Sequence, residues 1–210
     1  MKKSITLLLA FICLNAFSQD AMLENRLKVL RAAYTTPELF LKAAIDTQDS
    51  SVFKIALDEA GADLKKMKYP SYPFANFTPL MSAAMVGNVK MVQALLDKKV
   101  DVDATCKAAL YSGETDYIKS VTGGSGKGFT AIHFAAQKGH KDVVRLLIIA
   151  GADLMASVEI KGGYGKSGLN STPKQWAKLH GQTEVEAIIK AGKKAALKEM
   201  LANPTNKKVD

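Results

Sequence analysis

The stretch GFTAIHFAAQKGHKDVVRLLIIAGAD, residues 128–153, decides the fold. Thr130 opens a short apolar helix carrying Ala131, Ile132, Phe134, Ala135 and Ala136. Gly139 stops it, since glycine alone enters the left-handed region without a side-chain clash. Val143, Val144, Leu146, Leu147 and Ile148 then recur at one-face helical spacing, and Gly151-Ala152-Asp153 turns the chain. The phrase returns twice, as NFTPLMSAAMVGNVKMVQALLDKKVD over 76–101 and STPKQWAKLHGQTEVEAIIKAG over 171–192. A recurring helical hairpin buries its apolar face against its neighbours in a stack and not in one central core. The small pair Ala135-Ala136 lets adjacent hairpins approach closely.

These residues resemble the ankyrin repeat. The family's T-P-L-H-x-A-A opening appears as Thr130, Ile132, His133, Ala135 and Ala136, with Ala131 in place of proline. Its later elements match Gly139-His140 and Gly151-Ala152-Asp153. The preceding copy keeps Thr78-Pro79-Leu80, Ala83-Ala84 and Gly87, with Met81 for histidine and Lys99-Val100-Asp101 as its closing turn. The last copy keeps Thr172-Pro173, Ala177 and Gly181 and carries Trp176 in the slot of Phe134. A weaker first copy has Ala43-Ala44, an apolar run from Val52 to Leu57, and Gly61-Ala62-Asp63. The resemblance implies an all-α solenoid of stacked helix-turn-helix units over 36–192, with repeats at about 36–66, 76–105, 128–157 and 170–192 and extended hairpin loops between them. It also implies hydrogen-bonding roles for His133 and His140 within and between repeats.

The ends read differently. Met1-Lys2-Lys3, the apolar run Ile5–Leu14 and small residues at Ala16 and Ser18 have the layout of a secretory signal, residues 1–18, cut after Ser18. The run is too short to span a bilayer, which takes about 20 residues. The expectation is a monomer outside the cytoplasm, periplasmic or secreted, with no transmembrane segment after cleavage. Loss of Lys2 and Lys3 lowers the net charge from +9 to +7 and leaves Cys106 as the only cysteine, so no internal disulfide can form. Residues 19–35 suit an amino-terminal capping helix. Residues 193–210 suit a polar closing helix and tail, stopped at Asn203-Pro204.

The repeat is stretched where copies join. Thr130 lies 52 positions after Thr78, and Thr172 lies 42 after Thr130, against about 33 for the family. The excess falls after each closing turn, so the joins should project from one edge. Five of the six tyrosines occupy these joins, and binding surfaces favour such residues. Tyr69, Tyr72, Phe74, Tyr111, Tyr117, Lys119, Lys127, Tyr164 and Lys166 are therefore candidate partner-binding residues. Packing within their own loops is an equal alternative. Glycine-rich runs at 123–128 and 162–168 resemble a phosphate loop, but Val121 and Ile160 stand where it needs glycine. Flexible hairpin tips are expected instead.

No H-E-x-x-H, paired-cysteine or G-x-S-x-G arrangement occurs, so no cofactor, metal or catalytic residue is expected. Cys106 reads as a half-buried small residue, with a reactive thiol as the alternative. The function implied by the resemblance is a non-catalytic scaffold that binds a partner protein through its concave face and Tyr/Lys-rich loops, as an enzyme accessory or a toxin-neutralising protein. The alternatives are a binder of an anionic envelope component or polyanion, nucleic acid being disfavoured outside the cytoplasm, and a secreted effector directed at a host protein.

Overall fold

The computed structural model describes residues 21–69, 74–110, 124–161 and 169–202. The chain forms two compact units, Met1–Gly61 and Ala62–Asp210. In the first, α1 (21–33) precedes α2 (Pro37–Asp46) and α3 (Ser50–Ala60). Pro37 fits the first turn of α2, where a missing N–H costs nothing. Thr36 Oγ1 and Asp49 Oδ1 accept the first free amides of α2 and α3. Phe40, Leu41, Ala44, Ile45, Val52 and Phe53 are buried. Arg26 pairs with Asp49 at 2.5 Å and Arg31 with Glu59, tying α1 to α3.

The second unit repeats one hairpin three times. Its helices are α4 (Pro79–Val86) with α5 (Val89–Asp97), α6 (Ala131–Lys138) with α7 (Lys141–Ala150), and α8 (Pro173–Leu179) with α9 (Thr183–Ala202). First helices pack on first helices and second on second, so α4, α6 and α8 form one layer and α5, α7 and α9 another. A third layer comes from the joins. Strands β1 (Phe74–Ala75), β2 (Cys106–Leu110), β3 (Gly124–Phe129), β4 (Val158–Lys161) and β5 (Leu169–Ser171) form one antiparallel sheet in chain order. The described parts of the joins therefore emerge along one edge of this unit.

One expectation fails here. The glycine-rich run ending at Gly128 is not a hairpin tip but the body of β3, paired with β2 on one side and β4 on the other. Gly126 and Gly128 are required by contact. A Cβ on Gly126 would lie 2.5 Å from the Phe129 ring. One on Gly128, where φ is +90°, would lie 2.6 Å from the Ser157 carbonyl oxygen. The second run, 162–168, lies outside the described residues, as do the expected signal segment and the tail from 203. At Gly192 the helix breaks, with φ 73° and ψ −169°, and restarts as the expected closing helix.

Candidate binding surface

The surface is built on a frame that three repeated devices hold still. The first acts at the start of each leading helix. The third residue of each returns an acceptor to the backbone N–H of its opening threonine: Met81 Sδ to Thr78 at 3.5 Å, His133 Nδ1 to Thr130 at 3.2 Å, and Gln175 Oε1 to Thr172 at 2.8 Å. Sulfur, imidazole and amide thus fill one role, which explains why Met81 can replace histidine. The second device pins neighbouring repeats. His140 Nε2 donates to the Met85 carbonyl at 3.1 Å, and Gln182 Nε2 donates to the Gln137 carbonyl at 3.4 Å. These side chains lie over Gly87 and Gly139, where an added Cβ would stand 2.5 and 2.4 Å from them.

The third device is a line of rings between helices and sheet. Phe134 meets Phe77 of the repeat before it at 5.3 Å, and Trp176 meets Phe129 of the repeat before it at 5.3 Å, both edge-on. Phe74 stacks on Phe77 at 4.5 Å and meets Phe134 edge-on at 5.4 Å. Tyr69 is 1 % exposed, its ring 6.5 Å from Phe77 and its N–H bonded to the Phe77 carbonyl at 2.7 Å. For Tyr69 and Phe74 the geometry favours the packing alternative over direct contact with a partner.

On this frame the sheet alternates, with one register shift between Cys106 and Lys107. Ala108, Gly126 and Ile160 share a register row and are buried, with half-buried Phe74 at its end. The adjacent row, Ala75, Lys107, Lys127 and Glu159, faces outward. Lys127 Nζ pairs with Glu159 at 2.7 Å. Of the described candidate residues, Lys127 alone is placed on this exposed face. Tyr72, Tyr111, Tyr117, Lys119, Tyr164 and Lys166 lie outside the described residues. Lys107, one of the join lysines, and Glu159 stand outside the candidate set because their alignment depends on pairing between separate joins.

Burial shifts three described groups, Cys106, His133 and His180, toward their neutral forms. Cys106 is buried and its thiol is pushed up to about 12 by desolvation, so it is no thiolate at neutral pH. His133 is fully buried and lowered to about 4 by desolvation, only partly offset by the nearby backbone of Ser171 and Ala156 and by Asp153. Neither backbone group reaches its Nε2 in hydrogen-bond geometry. His180 donates from Nδ1 to the Trp176 carbonyl at 2.9 Å, and burial, then Lys138, lower its pKa. Among the described residues, no group of three or more His, Cys, Asp or Glu side chains is placed to hold a metal, and no helix is long and apolar enough to cross a membrane.

A search of curated proteins returned no match. A family model described as ankyrin repeats (3 copies) matches residues 39–158, more than half of the chain. That span takes in the openings at Thr78 and Thr130, the stops at Gly87 and Gly139 and the described parts of the joins that build β1 to β3. The chain belongs to the ankyrin repeat family.

Proposed function

We propose that the protein is a non-catalytic scaffold that holds a partner protein outside the cytoplasm. Ankyrin repeats generally mediate protein–protein interaction and are typically not catalytic. The observation that carries the finer reading is the five-stranded sheet, which turns overlong joins into a rigid face along the repeats of the second unit. A rigid face loses little conformational freedom on binding. The basic start and apolar run of residues 1–14 support export. An accessory or toxin-neutralising role fits such a scaffold equally.

Two measurements test this. Cell fractionation should find the chain, shortened by its leader, outside the cytoplasm; a full-length cytoplasmic chain contradicts export. Immobilised protein should capture one partner in fixed stoichiometry, with an affinity only mildly weakened by salt. No stoichiometric partner from any fraction contradicts the scaffold, and an affinity that collapses with salt points to a polyanion instead.

A further inference from the structure

We propose that the outward face of the sheet at Lys107 and Lys127 takes the carboxylate of an acidic, extended segment of a partner protein. The proposal rests on the scaffold reading and specifies the chemistry of its partner. Register sets Lys107 directly opposite Lys127, on strands that stand about 4.8 Å apart. Like charges so placed weaken a sheet. Lys127 is answered on its other side by Glu159 at 2.7 Å. Lys107 is not. Its other cross-strand neighbour is Ala75, whose methyl group neither donates nor accepts. Among the described residues no ion pair includes Lys107.

Beside this lysine opens a groove of ≈ 300 Å³, walled by Asn76, Thr105 and Ser157 together with Lys107, Lys127 and Glu159. Residues with amide and hydroxyl side chains thus line the same groove as the two lysines. Hydrogen bonds to an ionised carboxylate are shorter and roughly twice as strong as those between neutral groups. The groove is open and at the small end of ligand pockets, which suits one side chain on an extended backbone better than a whole small molecule.

Glu159 decides between a peptide and a polyanion. The row reads apolar, plus, plus, minus across β1 to β4. A polymer with an anion on every unit would meet the Glu159 carboxylate at its next step. A peptide can set Asp or Glu against the lysines and a neutral or basic residue beyond them.

The test is fluorescence polarisation of the full chain with a labelled Gly/Ser peptide carrying a central Glu-Ser-Glu. Lys107→Glu should weaken binding about tenfold or more without lowering the melting temperature, because its side chain is exposed and the change sets an opposite charge across from Lys127. Glu159→Gln should free Lys127 and tighten binding by about threefold. Glu184→Gln makes the same change in net charge at an ion pair between α7 and α9, and should leave binding unchanged. The proposal falls if the wild type does not bind the peptide, if Lys107→Glu is harmless, or if the two glutamine variants act alike. Tighter binding of a sulfated glycan fragment, indifferent to Glu159→Gln, would overturn it in favour of a polyanion face. A natural partner still held by the Lys107→Glu variant removes this groove and leaves the scaffold reading standing, whereas failure to find any partner sinks the scaffold itself.

Discussion

His133 shows how one buried side chain sets a response of the whole protein. Its pKa falls from the usual 6.5 to about 4 because burial penalises the charged ring. A histidine lowered on folding favours the neutral form, so its contribution is complete above the unfolded value. It is lost as pH falls from about 6.5 toward 4, at a cost of about 3 kcal/mol. His180, also lowered, acts in the same direction. Urea unfolding at neutral and acid pH should therefore show a steep loss on the acid side. His133→Gln should flatten it while keeping most of the neutral stability, because Gln175 performs the same capping bond in α8. An equally steep loss in that variant would assign the acid response to other groups. The glycines under the pins make a second contrast. Gly87→Ala must meet both a φ of +84° and the His140 ring at 2.5 Å, whereas Gly181→Ala meets a φ of +70° with nothing within 4 Å. The backbone term alone is about 1–2 kcal/mol, and thermal melts should show Gly87→Ala losing clearly more than Gly181→Ala.

Between elements, the rings supply the coupling. Trp176 is 2 % exposed, so Trp176→Ala should cost about 3–5 kcal/mol by urea unfolding. A double-mutant cycle of Phe129→Leu with Trp176→Leu should return about 0.5–1.5 kcal/mol of interaction between adjacent repeats; a value near zero would mean that the rings merely fill space. This coupling explains what a linear reading can and cannot reach. The openings at Thr78, Thr130 and Thr172 and the stops at Gly87 and Gly139 were legible because each acts within its own hairpin. The exchange of rings was not. Phe77 and Phe129 precede their threonines, and the last copy has Ser171 there instead. Trp176 in turn leans on Phe129 of the copy before, a partner that no single unit reveals. Gly126 and Gly128 misled for a related reason, since glycine reads as a turn until the Phe129 ring and Ser157 carbonyl that crowd them are placed.

In the second unit, the described parts of the joins are structure and not decoration. Their buried row closes over the rings while their outward row carries Lys107, Lys127 and Glu159. The candidate site was legible only as composition, lysine and tyrosine gathered between repeats, because its geometry depends on register across three separate strands. The most direct measurement of the central claim is hydrogen–deuterium exchange, resolved by peptide, on the unbound protein. Strand β3 lies inside the sheet, bonded to β2 and β4, so amides within Gly124–Phe129 should exchange slowly, approaching those of α6. Exchange there as fast as in an unstructured glycine-rich loop would contradict the sheet and the surface built on it.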